Sequence, residues 1–178
     1  MSETTRLACA CGQFHLEVTG TPFITTECHC NSCRAAAGRL AALPLARPMT
    51  EANSGTSFVL YRKDRVAFPH GTATLRGYRL ADTAPTRRVV TTCCNSPVFL
   101  EFQGAHWLSL YASLWPEATR PPTRIRTMTG DRPAGAPLDA ALPAGGLVTA
   151  GFYAKLLAAW IAMGFKTPKI AIGEERGA

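Results

Sequence analysis

The chain has 178 residues, 47% of them hydrophobic and 17% charged, which is typical of a folded globular protein and argues against intrinsic disorder. Its net charge of +7 comes from dispersed arginines without interleaved aromatic residues, so a nucleic-acid partner is supported by charge alone and is not expected. No apolar signal core opens the chain, and the longest apolar run, 156–164, is too short to span a membrane, so we expect a cytoplasmic protein with no membrane partner.

The chain contains seven cysteines, an odd number that cannot be fully paired in disulfides. In a reducing compartment, cysteines are more readily explained as metal ligands than as disulfides. The first two are Cys9 and Cys11, followed by residues 13–18, where polar and apolar side chains alternate as in a half-buried strand. Alone, this Cys-x-Cys is a weak metal signal, and it gains weight if two further thiols complete it.

A second strand is predicted at 23–27, and it leads directly into the most informative stretch of the chain. That stretch reads Cys28-His29-Cys30-Asn31-Ser32-Cys33-Arg34. On an extended strand Cys28 and Cys30 point to one face, and a turn at the following two residues would bring Cys33 back toward them. Three converging thiolates suit a soft, tetrahedral zinc site.

No fourth zinc ligand is evident beside this cluster. Catalytic zinc usually keeps one position open for water or substrate, whereas structural zinc is closed by four protein ligands, so the site is either open or completed from elsewhere in the chain. His29 would point away from the face that Cys28 and Cys30 share, and we expect it to pack or hydrogen-bond behind the site.

The rest of the chain is predicted to be mainly β, with short antiparallel strands and a C-terminal helix. Residues 34–38 predict one helical turn ended by Gly38. Further strands are predicted where side chains alternate or β-branched residues cluster, at 57–61, 65–68, 74–80, 87–92, 98–102 and 106–111. We expect a single domain over 1–178, with a β core at 7–116, a proline-rich irregular arm at 117–150 and a helix at 151–164.

The predicted helix carries an apolar stripe at helical spacing. Its members are Phe152, Leu156, Trp160 and Met163. Such a stripe packs against a core or forms a contact between copies of the chain. A homo-oligomer through this helix is therefore one of two possible interpretations, and core packing is the other.

The order of these motifs resembles the glutathione-dependent formaldehyde-activating enzyme family. The resemblance rests on Cys9-x-Cys11-Gly12, Cys28-His29-Cys30-x-x-Cys33-Arg34, Gly38, Cys94-x-Ser96-Pro97 and Ala112-Ser113-Leu114, and it covers residues 7–116. It implies a beta-tent fold with two Zn²⁺ ions per chain. By the match, Cys28, Cys30 and Cys33 would hold a catalytic zinc, and Cys9, Cys11 and Cys94 would belong to a structural zinc.

The chain departs from the family pattern at the second cysteine pair of the structural site. Where the family has Cys-x-x-Cys-Gly, this chain has Thr91-Thr92-Cys93-Cys94-Asn95. A threonine hydroxyl is a poor zinc ligand, so Cys93 is the spare thiol that could serve as fourth ligand. Adjacent strand residues point opposite ways, so Cys93 and Cys94 can share a metal only if the backbone turns there. The alternative is a three-cysteine site with Cys93 buried as a small hydrophobe.

By resemblance, the chemistry is addition of a thiol to formaldehyde or the reverse carbon–sulfur cleavage. The implied function is a zinc-dependent carbon–sulfur lyase acting on a small thiol such as glutathione, with Arg34 available to pair with a substrate carboxylate or held in a structural ion pair. The competing hypothesis is a non-enzymatic zinc module that binds a protein partner. An open fourth coordination position favours the enzyme, and a closed one favours the module.

Overall fold

The computed structural model describes residues 3–133, 138 and 140–177, the last four by their backbone alone. These residues form eleven strands and two α-helices. The strands are β1 (Thr4–Ala8), β2 (His15–Thr19), β3 (Ile24–Cys28), β4 (Thr56–Arg62), β5 (Val66–His70), β6 (Leu75–Arg79), β7 (Thr86–Thr91), β8 (Pro97–Phe102), β9 (Trp107–Tyr111), β10 (Ile125–Thr127) and β11 (Glu174–Gly177). The helices are α1 (Asn31–Leu40) and α2 (Gly146–Ala162). The prediction of a mainly β chain with a C-terminal helix is confirmed.

The strands form two sheets. The smaller sheet has the order β1-β2-β5, and the larger has the order β10-β3-β4-β9-β8-β7-β6-β11. Strand pairs inside both sheets are antiparallel, whereas the two edge strands, β10 and β11, run parallel to their neighbours β3 and β6. The segment after residue 122 therefore supplies both edges of the larger sheet.

The larger sheet is apolar on both faces, and strand β4 shows how. Val59 and Tyr61 belong to the main core, which also contains Leu16 and Val18 of the smaller sheet. Phe58 belongs to a second cluster on the opposite face, together with Cys33 of α1 and Leu156 of α2. Because strand side chains alternate in direction, one strand serves two clusters. Each fully buried side chain of this size contributes about 1.5–3 kcal/mol to folding.

The structure corrects the predicted turn after Cys28. Strand β3 ends at Cys28, and Asn31 begins a ten-residue helix instead of a turn. Cys30 has extended backbone angles and caps this helix, its sulfur accepting a hydrogen bond from the Cys33 backbone N–H at 3.3 Å. The helix also continues past Gly38, the predicted end, because Leu40 in its last turn is buried against Tyr78 and Val90.

Two further boundaries differ from the prediction. Helix α2 begins at Gly146 and not at 151. The proline-rich arm is not wholly irregular, since β10 lies within it, although residues 134–137 and 139 of the arm lie outside the described part. Neither helix of the described residues is long and apolar enough to cross a membrane.

Candidate metal centres

Four cysteines from two turns meet at one end of the core. The turn between β1 and β2 supplies Cys9 and Cys11, and the turn between β7 and β8 supplies Cys93 and Cys94. The sulfur of Cys93 lies 3.7 Å from that of Cys9, 3.3 Å from that of Cys11 and 3.9 Å from that of Cys94. A tetrahedral zinc with Zn–S bonds of about 2.3 Å places its sulfur ligands about 3.8 Å apart. The spacing fits a closed four-thiolate site.

The adjacent cysteines share this site because the backbone turns sharply after them. Asn95 has a φ of 49°, in the left-handed region that asparagine tolerates better than most residues. Ser96 then fixes the turn from both sides, since its backbone N–H donates to Thr91 Oγ1 at 3.2 Å and its Oγ accepts from the Ala10 backbone N–H at 3.0 Å. The second of these bonds joins the two cysteine-bearing turns.

The second cluster consists of Cys28 at the end of β3, Cys30 at the cap of α1 and Cys33 in the first turn of α1. The sulfurs of Cys28 and Cys33 are 3.9 Å apart, and all three sulfurs lie within 4.8 Å of one another. The positive end of the helix dipole favours thiolates at this position. Among the described residues, no fourth cysteine, histidine or carboxylate joins this cluster. Its donor set therefore fits a soft divalent metal such as zinc with one position left for another ligand.

The three thiols influence one another strongly. Hydrogen bonding with Cys28 lowers the pKa of the Cys30 thiol, and hydrogen bonding with Cys28 and Cys30 raises the pKa of the Cys33 thiol. The cluster thus holds negative charge on one sulfur and resists ionising the others, because thiolates this close repel each other. A divalent cation among the sulfurs would remove that resistance.

A buried polar network supports this cluster from behind. His29 is fully buried, and its Nε2 donates to Glu27 Oε1 at 2.8 Å, so its ring faces away from the cysteines as the strand alternation predicts. Arg126 Nε and Asn53 Nδ2 donate to the same oxygen at 2.7 and 3.0 Å. Burial alone would raise the pKa of Glu27, but these hydrogen bonds outweigh it and hold that pKa below its usual value.

A cavity of about 430 Å³ opens beside the three-cysteine cluster. Apolar side chains of the larger sheet and of α2 form most of its wall. Among its described lining residues, Arg88 is the only arginine, and no lysine, aspartate or glutamate accompanies it. Arg88 is 2% exposed, and its guanidinium donates to Thr86 Oγ1 at 3.0 Å and to Ser32 Oγ at 2.6 Å.

Arg34 lies on the other side of the cluster. Its guanidinium donates to the His29 carbonyl at 2.9 Å, to the Asn31 side-chain oxygen at 2.6 Å and to the Asp131 carbonyl, and it borders a neighbouring cavity. It is not among the residues that line the cavity of the cysteines. Its predicted contact with substrate stays a prediction, and its contacts here fasten the 131 turn to α1.

The sequence analysis did not predict a place for Arg88 in the site, because Arg88 is one of many dispersed arginines. One signal could have found it. In a strand, residue 88 shares a face with Val90, two positions on, and Val90 is 1% exposed. An arginine in register with a buried valine points inward, and an inward arginine needs an anion or a set of acceptors.

The fold and these two clusters define a mainly β protein with two cysteine sites that can hold metal ions. The sequence profile of the glutathione-dependent formaldehyde-activating enzymes matches residues 4–122, and the chain belongs to that family. The resemblance drawn from the cysteine motifs is thereby confirmed. The match ends before β10, so β10, α2 and β11 lie outside it.

No curated protein matches the chain. Among solved structures, it is similar to a structural-genomics crystal structure of a Rhodobacter sphaeroides protein, at 14% sequence identity and a TM-score of 0.45. The alignment covers 64% of this chain and 89% of the other.

Proposed function

We propose that the protein is a zinc-dependent carbon–sulfur lyase-like enzyme acting on a small thiol–aldehyde adduct of the S-hydroxymethylglutathione type. One observation carries the proposal. The three clustered sulfurs border a cavity, and no fourth cysteine, histidine or carboxylate of the described chain closes the cluster. A closed cluster would have favoured a purely structural module.

The reaction needs no oxidant or reductant. In the forward direction a thiol sulfur bonds to the carbonyl carbon of formaldehyde, the carbonyl electron pair moves to oxygen, and the thiol proton ends on that oxygen. The reverse reaction breaks the same carbon–sulfur bond and returns the proton to sulfur. A free thiol has a pKa of about 8.5, so thiol activation is the main demand on the site at neutral pH.

The residues divide this work by position. Zinc held by Cys28, Cys30 and Cys33 would stabilise a substrate thiolate or polarise the aldehyde carbonyl. The N-terminus of α1 stabilises the sulfurs of the cluster as anions. Cys9, Cys11, Cys93 and Cys94 would hold a second, structural zinc that joins the two turns. All seven cysteines are free in the structure, in keeping with a proposed location in the reducing cytoplasm.

Exchange spectroscopy tests this proposal. Zinc-loaded protein is added to glutathione and ¹³C-formaldehyde, and NMR measures the rate at which free aldehyde and adduct interconvert. We expect acceleration over the spontaneous rate by the wild type and by Arg65→Gln, a control at an exposed position, and none by Cys30→Ser. Equal exchange in the Cys30→Ser variant would overturn the assignment of the site.

A second candidate function is supported by the outer face of α2. Tyr153, Leu157 and Ile161 follow one another at four-residue intervals and are 62%, 53% and 55% exposed, and Phe165, just past the end of the helix, is 59% exposed. An exposed apolar stripe of this kind is a feature of protein-binding surfaces. If the chain is a zinc module that binds another copy of itself, light scattering will give a dimer mass that Leu157→Glu reduces to a monomer. A monomeric wild type without formaldehyde exchange would contradict both candidates.

A further inference from the structure

The cavity beside Cys28, Cys30 and Cys33 contains an unusual buried cation. Other buried cations have carboxylate partners in the structure: Lys63 pairs with Glu101, and Arg126 pairs with Glu27. Within the described residues, Arg88 has neutral acceptors only, namely two hydroxyls and the Ser32 carbonyl at 3.3 Å. Its Nε–H is buried and has no acceptor in the described part of the chain. A buried guanidinium without a carboxylate partner favours an anion as a further acceptor.

The three-cysteine cluster can supply part of the charge balance. Three thiolates around one divalent zinc would leave a net charge of −1, and Arg88 lines the same cavity as the three cysteines. Charge balance alone gives the guanidinium no charged hydrogen-bond acceptor, because a diffuse charge accepts no hydrogen bond at a given atom. A carboxylate in the cavity would meet both requirements.

The remaining wall is apolar. Phe58 and Leu100 come from the sheet, and Phe152 and Tyr153 come from α2. No aspartate or glutamate is among the described lining residues. Glutathione carries two carboxylates and an ammonium group, so the cavity offers one of its three charges a partner and would leave two others unpaired against apolar surface. A ligand with an apolar body and one carboxylate leaves none unpaired.

Part of this wall lies outside the family match. Thr149, Phe152 and Tyr153 belong to α2, and Met128 follows β10, whereas the match ends at residue 122. The sheet side, with Arg88 and the cysteines, lies inside the match. The C-terminal segment thus supplies part of the apolar surface that faces the body of the ligand, beside residues of the sheet.

We propose that the cavity selects a thiol, or its aldehyde adduct, that has an aromatic or aliphatic body and a single carboxylate, and that Arg88 binds this carboxylate. The volume of about 430 Å³ is in the range of small-ligand sites. The inference rests on the proposed function for the role of the thiol, but the preference for one acid group on an apolar body is a matter of binding and can be measured without turnover.

Calorimetric titration of the zinc-loaded protein tests the proposal with three thiols. The probes are 3-phenyl-2-sulfanylpropanoate, which has a ring and one carboxylate, 2-phenylethanethiol, which lacks the carboxylate, and glutathione. We expect the aromatic acid to bind at least 10-fold more tightly than either of the others. We expect Arg88→Gln to lower the affinity for the acid at least 10-fold and to leave the affinity for the neutral thiol unchanged. Arg88→Lys should recover part of the lost affinity, and Arg65→Gln should bind the acid as tightly as the wild type.

Two results would overturn the proposal: glutathione binding as tightly as the aromatic acid, or Arg88→Gln weakening the acid and the neutral thiol equally. If Arg88→Gln does not fold, the wild-type preference for the acid over the neutral thiol and the Arg88→Lys variant decide the question. Selective binding without carbon–sulfur exchange would contradict the proposed function and leave this inference standing. Exchange on glutathione without selective binding of the aromatic acid would support the proposed function and overturn this inference.

Discussion

Single residues at the two cysteine sites differ in how far the sequence could predict them. The clusters themselves were predictable because cysteines in close, regular spacing have few other uses in a chain without disulfides. The participation of Cys93 was left open, since two adjacent strand residues diverge, and the left-handed Asn95 that turns the backbone is not encoded by any unambiguous signal. The inward direction of Arg88 could be inferred from its shared face with Val90, but its contact with Ser32 depends on the three-dimensional packing of β7 against α1.

Replacing Cys93 tests the four-thiolate site. We expect Cys93→Ser to lose one zinc per chain and to unfold at a much lower temperature, because a hydroxyl is a poor ligand and structural zinc contributes on the order of 10 kcal/mol to folding in small zinc peptides. Native mass spectrometry measures the zinc, and calorimetry measures the melting temperature. At a partly exposed position without metal, such a change costs within about 0.5 kcal/mol, so an unchanged melting temperature would remove Cys93 from the ligand set.

Replacing Cys30 tests the other cluster with little effect on folding. Serine is a preferred N-cap residue, so Cys30→Ser retains the cap of α1 while removing one of three thiolate ligands. We expect the loss of one zinc and of formaldehyde exchange, with a melting temperature close to that of the wild type. Cys30→Ala is the matched comparison, since it removes the cap as well and should lower the free energy of unfolding by a further ~0.5–2 kcal/mol. Loss of both zincs from Cys30→Ser would contradict the separation of the two sites.

Whole elements were predicted best where side chains alternate. The strands from 57 to 111 were recognised because apolar positions recur with the two-residue period of a half-buried sheet. Helix α1 was underestimated because its N-cap is a cysteine, which gives no capping signal, and because Gly38 resembles a helix end. Strand β11 was missed, since Glu174-Glu175-Arg176-Gly177 is polar and its pairing with β6 is made by backbone groups.

The loop before β4 is fitted closely to the network behind the three-cysteine cluster. A Cβ added at Gly55 would lie 2.6 Å from Glu27 Cγ and 2.9 Å from His29 Cε1, so Gly55→Ala must displace one of these buried side chains. Overpacking of this kind costs about 1–3 kcal/mol. We expect the melting temperature to fall and zinc affinity at the Cys28 cluster to weaken, as thermal unfolding and competition with a chromogenic chelator would measure.

Gly38→Ala provides the matched control for the Gly55 prediction. Gly38 lies inside α1 with no heavy atom within 4 Å of an added Cβ. Alanine there should stabilise the chain by about 0.5–1 kcal/mol through its higher helix propensity. If both variants shift the free energy of unfolding in the same direction, the close contact at Gly55 does not explain the effect of Gly55→Ala.

On the scale of the whole molecule, the C-terminal segment belongs to the larger sheet and to the cavity. Strand β10 pairs with β3 directly beside Cys28, and α2 covers the apolar face that contains Cys33. Such long-range contacts could not be predicted from a proline-rich arm whose local pattern specifies no partner. They make the three-cysteine site dependent on residues both within the family match and beyond residue 122, while the four-cysteine site is built from residues within it.

Stepwise removal of metal follows from this arrangement. The three-cysteine site is open to a cavity and has one position free of described protein ligands, so a chelator can enter its coordination sphere directly. The four-cysteine site has to open first, because all four ligands come from the two turns that its metal would join. We therefore expect a chelator such as EDTA to remove one zinc early with a small change in melting temperature, and the second late and together with unfolding. Native mass spectrometry and thermal unfolding on the same time points check the order, and simultaneous loss of both ions would show that the two sites form one cooperative unit.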